Sequence, residues 1–366
     1  NGPEITLGWQ PQWLMIKQTN AAGNGWSIFD TVRGVVIGAA DAILFADDSR
    51  VEFSGNKVSL NATGFTLSAA GSDINSSGST YIYVAIRGPM MKEPESATEV
   101  FAVASRAADG FDTASNFPVD FGIDFQTPGT RKRAFTRLTG KVFLETNTTA
   151  TETAASYAGL DNNEGYLESQ GGLNSNALAY MWKRAKGYFD VVAYSGNSVA
   201  GRTVSHSLGV APEMMWVKAR TIGDNWIVYH NTLGPTKHAR LNEDQQPFSG
   251  IQAFNNTAPT DSVFTLGTEL ATNYSGQDYI AYLFDTLAGI SKVGSYTGNG
   301  SSQTINCGFT SGARFILIKR TDSAGDWYVW DSVRGIVAGN DPHMSLNTTA
   351  AQVTTDDSVD PASSGF

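Results

Sequence analysis

The feature that most constrains this chain is that it repeats itself. Gly25-Trp26-Ser27-Ile28-Phe29-Asp30-Thr31-Val32-Arg33-Gly34-Val35-Val36 returns as Asp326-Trp327-Tyr328-Val329-Trp330-Asp331-Ser332-Val333-Arg334-Gly335-Ile336-Val337. Trp, Asp, Val, Arg, Gly and the closing Val are identical, at a separation of 301 residues. Gly64-Phe65 and Gly365-Phe366 keep that separation, so the register runs unbroken from Trp26 to Phe65. A weaker copy, Asn225-Trp226-Ile227-Val228-Tyr229-His230, stands 101 residues before the Trp327 copy. Self-similarity at a fixed spacing means one structural unit duplicated in series.

Further landmarks extend the pattern. Lys218 in Trp216-Val217-Lys218 matches Lys319 in Leu317-Ile318-Lys319, and Tyr194-Ser195-Gly196-Asn197 matches Tyr296-Thr297-Gly298-Asn299. Tyr81-Ile82-Tyr83-Val84-Ala85 corresponds to Leu178-Ala179-Tyr180-Met181-Trp182 and to Tyr279-Ile280-Ala281-Tyr282-Leu283, each after an Asn-bearing loop at Asn75, Asn174 and Asn273. The second copy is the most degenerate: Arg131-Lys132-Arg133-Ala134-Phe135 replaces the tryptophan motif. Its support is Leu144-Glu145-Thr146-Asn147-Thr148-Thr149 beside Leu346-Asn347-Thr348-Thr349, then Glu164-Gly165-Tyr166-Leu167.

Thirty-eight glycines, 11% aromatics and short apolar runs bounded by turn residues favour pleated strands over helices. Trp13-Leu14-Met15-Ile16, Met214-Met215-Trp216-Val217 and Phe315-Ile316-Leu317-Ile318 have the length of central sandwich strands. The chain is therefore expected to be all-β, a series of tandem β-sandwich domains of jelly-roll or Ig-like type. A propeller blade or a thin solenoid repeat would be shorter. The expected units span residues 1–100 (lacking an N-terminal strand), 101–187 (degenerate), 188–288 and 289–366 (C-terminally incomplete). Asn1-Gly2 aligns with Asn299-Gly300, and Gly365-Phe366 with Gly64-Phe65, so the chain is expected to begin and finish partway through a unit. Each unit should bury its own core, with short Gly/Ser linkers making a bead-like string.

Charge narrows the partners. With 25 Lys+Arg against 35 Asp+Glu the net charge is −10, which argues against a nucleic-acid-binding surface. Cys307 is the only cysteine, so no intrachain disulfide and no multi-Cys zinc site can form. The stretch Gly34 to Ala46 is the longest apolar one, and Asp41 breaks it, so membrane insertion is not expected.

Three segments carry a family likeness: Phe189-Asp190-Val191-Val192-Ala193-Tyr194-Ser195-Gly196-Asn197, Ser205-His206-Ser207-Leu208-Gly209-Val210-Ala211-Pro212-Glu213-Met214-Met215-Trp216-Val217-Lys218, and the Asp331 to Gly335 motif with its partner Asp30 to Gly34. With these the chain resembles repeated β-sandwich domains of unassigned function in virion structural proteins of marine tailed phages. The resemblance implies a non-enzymatic tail fibre, appendage or capsid-surface protein, located in the virion. It implies a homo-oligomer, trimeric by analogy, in contact with other virion proteins and, as an adhesin, with host surface glycan. It supplies no catalytic residues, metal ligands or cofactor.

The motifs themselves point the same way. In the tryptophan motif, Asp30 and Arg33 could orient a sugar hydroxyl beside an indole, but repetition in every unit suits a capped turn better. His230 and Asn231 replace the acid in the third copy, against a shared catalytic role. His206, His230, His238 and His343 include no pair at metal-ligand spacing. Asp161-Asn162-Asn163-Glu164-Gly165 is like a calcium loop with its glycine a residue early, and is read as a turn. Asp47-Asp48 and Asp356-Asp357 are read as loop charge rather than glycosidase acids, since neighbours on a strand face opposite ways. Gly294 to Gly300 lacks the Gly-Lys-Ser/Thr ending of a phosphate loop and is read as a hairpin turn. Cys307 is expected to pack as a small buried residue, and the sequons at Asn61, Asn147 and Asn347 as chance. The one basic cluster, Arg131-Lys132-Arg133 with Arg137 and Lys141, is read as a solvated strand edge.

Overall fold

The structure is a computed structural model that describes residues 2–35, 37, 40–67, 73–88, 91–105, 112–126, 131–155, 158–160, 165–168 and 177–366. It is all-β, with 39% strand and 3% helix, and its strands fall into four successive sets. The first holds β1 (Glu4–Thr6), β2 (Pro11–Gln18), β3 (Ser27–Asp30), β4 (Asp41–Phe45), β5 (Phe53–Gly55), β6 (Val58–Asn61), β7 (Gly64–Leu67) and β8 (Tyr81–Arg87). The second holds β9 (Phe101–Ser105), β10 (Asp112–Ala114), β11 (Phe121–Gln126), β12 (Arg131–Thr136), β13 (Val142–Glu145), β14 (Thr153–Ala154), β15 (Ala158–Gly159), β16 (Gly165–Glu168) and β17 (Leu178–Trp182). The third holds β18 (Phe189–Ser195), β19 (Arg202–Ser205), β20 (Met214–Ala219), β21 (Ile227–His230), β22 (Lys237–Arg240), β23 (Phe248–Ser249), β24 (Val263–Leu266), the single-turn helix α1 (Leu270–Asn273) and β25 (Asp278–Phe284). The fourth holds β26 (Phe315–Lys319), β27 (Trp327–Asp331) and β28 (His343–Ser345).

One strand order recurs. The large sheets run β5-β4-β3-β2-β8, then β14-β13-β12-β11-β17-β9, then β23-β22-β21-β20-β25-β18, and the fourth set keeps the central part as β28-β27-β26. A small sheet lies opposite each of the first three: β1-β7-β6, β10-β16-β15 and β19-β24. All pairings are antiparallel. Register aligns the copies residue by residue, since Trp13 faces Asp30, Phe121 faces Thr136, Met214 faces His230 and Phe315 faces Asp331. By that register Lys132 holds the position of Trp26, Trp226 and Trp327. The amides of Ala46, Thr146, Leu241 and Leu346 each close the hairpin on the carbonyl of that residue.

The two faces of each large sheet follow from strand alternation. In β2, Leu14 and Ile16 turn inward and join Phe29, Ile43, Val58, Leu60 and Phe65 in a core between the two sheets of the first set. Met215, Val217, Tyr229, Phe264 and Leu283 do the same in the third set, and Phe117, Val119, Phe135 and Met181 in the second.

The opposite faces correct the expectation of separate beads. The largest apolar cluster of the molecule joins Phe121, Ile123, Tyr180 and Trp182 of the second set to Phe189, Trp216, Trp226 and Tyr282 of the third and to Trp327, Val329 and Met344 of the fourth. Phe121 lies 4.3 Å from Tyr282, and Phe315 lies 5.0 Å from Tyr180 and 5.5 Å from Trp182, ring centre to ring centre. The large sheets of the second and third sets and the β28-β27-β26 sheet of the fourth turn their outer faces to one shared core. Among the described residues, the first set reaches it through Ile37.

Candidate functional site

The Trp-x-x-x-Asp-x-x-Arg-Gly motif builds one local device. Asp47, Asn242 and Asn347 stand at equivalent positions, and their side-chain oxygens accept the backbone N–H of Trp26, Trp226 and Trp327 at 2.8, 2.9 and 2.9 Å, anchoring the start of the strand. At the other end, Asp30 Oδ1 accepts from the amides of Val32 and Arg33 at 3.1 and 2.9 Å, and Asp331 Oδ1 from Val333 and Arg334 at 3.0 and 2.9 Å. Each Arg then folds back on its Asp, Nε to Oδ2, at 2.6 and 2.5 Å. Gly34 and Gly335, at φ 106° and 113°, take the left-handed backbone that closes the turn. His230 does the acid's work in the third set, its Nδ1 within 2.9 Å of the Thr232 hydroxyl. Both Asp side chains thus cap their turns, while Arg33 also reaches Glu52 at 3.2 Å.

The indoles reach beyond their own unit. Trp226 Nε1 donates to the carbonyl of Glu145 at 3.0 Å, and Trp327 Nε1 to the carbonyl of Arg240 at 2.9 Å. Glu145 and Arg240 occupy one equivalent position, opposite Arg133 and Ile227. Lys218 Nζ likewise donates to the Thr149 carbonyl at 3.3 Å and Lys319 Nζ to the Asp244 carbonyl at 2.6 Å, again an equivalent pair. The ring closes from the second set to the fourth: Lys132 Nζ donates to the Thr348 carbonyl and Thr146 Oγ1 to the Leu346 carbonyl. Tyr180 adds its hydroxyl to Asp331 at 2.8 Å and accepts from Arg334 at 2.9 Å. Burial pushes the ammonium groups of Lys132 and Lys218 down to about 8. Each set therefore donates to the one before it, around a pseudo-threefold ring.

The basic cluster is not a solvated edge, which is a correction. β12 lies inside the sheet between β11 and β13, Lys132 and Arg133 are wholly buried, and Arg133 forks onto Asp124 at 3.0 and 2.9 Å. Arg137 donates to the Val119 carbonyl at 2.9 Å, and Lys141 is exposed. Gly294 to Gly300 forms no hairpin but an exposed coil, because no strand among the described residues takes the place that β25 takes beside β18. Asp48 pairs with Arg50 at 2.5 Å, and Asp356 stands 3.4 Å from His343. Cys307 is half-buried and burial raises its thiol. Asn347, 8% exposed, spends its amide on Trp327 and Asp326, while Asn61 caps its own turn. Asp161 to Glu164 and Asn174 lie outside the described residues. Among the described residues no three His, Cys, Asp or Glu side chains converge as metal ligands.

One site was invisible in the sequence. His238, Arg240, Phe248, Gly250, Ile251 and Glu269 line a cleft of about 450 Å³. His238 is 4% exposed, and neither ring nitrogen has a hydrogen-bond partner. Burial, helped by the Arg240 charge, pushes its value down to about 4, so the ring is neutral at pH 7. Arg240 lies over the Phe248 ring at 4.1 Å and forks onto Glu243 at 3.1 Å, and burial raises the Glu269 carboxyl. A neutral imidazole offers one donor and one acceptor beside a flat cationic stack. Nothing in the spacing of these residues marks them, because β22, the stretch from β23 to Gln252 and the loop between β24 and α1 meet only in the fold.

These observations define a class: an all-β protein of sandwich units that repeat one strand order and share a central core. The chain belongs to the family described as a domain of unknown function, DUF7483, whose model matches residues 1–88 and 134–366. The unmatched segment covers β9 to β11 and the start of β12, where the tryptophan motif is replaced by lysine and arginine. No curated protein and no solved structure matches the chain significantly.

Proposed function

We propose that the protein is a non-enzymatic virion structural protein, part of a tail fibre or other surface appendage of a marine tailed phage. What carries this reading is the use to which the repeated motif is put. Asp and Arg recur at fixed positions in the first and fourth sets and close their own turns, and the Trp226 and Trp327 indoles bond the neighbouring unit rather than an open cleft. A protein that repeats one unit and cements the copies side by side is suited to bearing load and setting distance. The family likeness of Phe189 to Asn197 and Ser205 to Lys218 supplies the particle as its setting. Capsid-surface decoration shares this chemistry and differs only in location.

The test is physical location. Peptides covering residues 188–366 are expected in gradient-purified particles, and antibody raised against the protein is expected to label the tail or particle surface in electron micrographs. Absence of the chain from intact, infectious particles overturns the reading.

The His238 cleft favours a second reading, a lectin-like adhesin. Its unpartnered imidazole and the Arg240–Phe248 stack suit a neutral sugar hydroxyl pair. Binding on a glycan array that is lost in His238→Phe would support it; no binding to any host-surface glycan would remove it.

A further inference from the structure

We propose that the first unit trimerises with two other copies of this chain through the outer face of its large sheet, in the same ring that the other three units form within one chain. The inference stands on the geometry of that ring and does not depend on the virion reading.

Register identifies the face. Where the third unit has Met214, Trp216, Val228, Ala239, Ile280, Tyr282 and Phe284 in or against the shared core, the first unit has Trp13, Met15, Ile28, Leu44, Ile82, Val84 and Ile86. The third unit's Trp216, Val228, Ile280 and Tyr282 are 0–1% exposed. The first unit's Leu44, Ile82, Val84 and Ile86 are 38%, 49%, 48% and 54% exposed, and Trp13, Met15 and Ile28 are half-buried. An apolar face of this extent marks an association surface. No carboxylate interrupts these positions.

The polar complement is present as well. At two of its three joints the ring is made by a Trp indole and a Lys ammonium on one unit donating to two carbonyls, four residues apart, on the next, and at the third Lys132 and Thr146 donate to the Thr348 and Leu346 carbonyls. Trp26 and Lys17 hold the donor positions in the first unit, and Phe45 and Ser49 the acceptor positions. Among the described residues no acceptor takes the Trp26 indole N–H, and Lys17 turns back on the Asn24 carbonyl within its own loop. The first unit thus carries both halves of a head-to-tail interface. The contacts from the third unit to the second, the fourth to the third and the second to the fourth close such an interface at three members, so a homotypic version closes at three chains. In it Trp26 of each copy donates to the Phe45 carbonyl of the next, and Val84 takes the central place of Tyr180 and Tyr282.

Sedimentation velocity and native mass spectrometry of the full chain across a concentration series test the proposal. A species of three times the chain mass is expected. Val84→Asp and Ile86→Asp, both at exposed positions, are expected to return it to monomer with the thermal melt of the dissociated protein unchanged. Trp26→Phe is expected to weaken it, and Val199→Asp, at an exposed position on the third unit, to leave it intact. Hydroxyl-radical footprinting of the unmodified protein should protect Met15 and Trp26 only in the assembled fraction. A monomer at all concentrations, an assembly of another stoichiometry, or a trimer indifferent to Val84→Asp overturns the proposal.

Discussion

His238 shows how a single buried side chain can be legible only in the fold. Its ordinary value near 6.5 falls to about 4 because burial disfavours the imidazolium and Arg240 repels it. Between those values the unfolded chain holds a proton that the folded chain does not, so stability rises with pH across the window and is lost as pH falls through it. Burial also lowers His206 and His230, with the same sign. Unfolding free energies measured with denaturant from pH 4 to 7 should therefore drop on acidification, and His238→Phe should flatten the profile without lowering the pH 7 stability by more than about 1 kcal/mol. An unchanged slope in the variant would show that this ring does not govern acid sensitivity.

At the scale of the element, the repeated Gly-Phe pair has a steric cause. A Cβ on Gly64 would stand 2.0 Å from the Ile5 carbonyl oxygen, and one on Gly365 2.1 Å from that of Ile305. Both glycines lie under the crossing strand that pairs with them, Thr6 beside Gly64 and Asn306 beside Gly365. The phenylalanine that follows Gly64 then enters the core at 1% exposure. Gly64→Ala should force β1 and β7 apart and cost about 2 to 4 kcal/mol, with hydrogen exchange in β1, β6 and β7 accelerated before that of β2 and β3. Uniform acceleration across both sheets, or none, would contradict it. The Gly-Phe pair was readable as a landmark of the repeat; why it needs glycine was not, because the obstructing carbonyl lies 59 residues away.

For the whole molecule, the shared core predicts cooperativity. Units two to four bury one continuous set of aromatics and exchange backbone hydrogen bonds, so they should unfold together, whereas the first unit meets them mainly through Ile37, through the Arg220 bond to its carbonyl at 2.6 Å and through the Arg184 bond to Gln10 at 2.9 Å. Calorimetry of the dissociated chain should resolve two transitions, and Trp327→Ala, costing about 3 to 5 kcal/mol, should lower only the larger one. A single transition, or three independent ones after the first unit melts, would refute the shared core. Trp226→Phe, which keeps the ring but removes the donor to Glu145, should cost about 1 kcal/mol in that same transition.

The residues alone determined that this chain is all-β, that one unit recurs, and that the Asp-Arg-Gly turn belongs to architecture, because alternation, turn chemistry and self-similarity are local properties of a sequence. They misplaced the basic stretch at Lys132 and Arg133 and isolated each core, because burial of a charge and contact between distant faces depend on what the chain brings opposite. Only the tertiary structure decided that Lys132 stands in for a tryptophan, that Glu145 and Arg240 serve through their carbonyls whatever their side chains, and that the outer faces of three sheets close on one another. Backbone acceptors carry no signature in an amino-acid sequence, and a shared core is a property of pairs of surfaces rather than of either one.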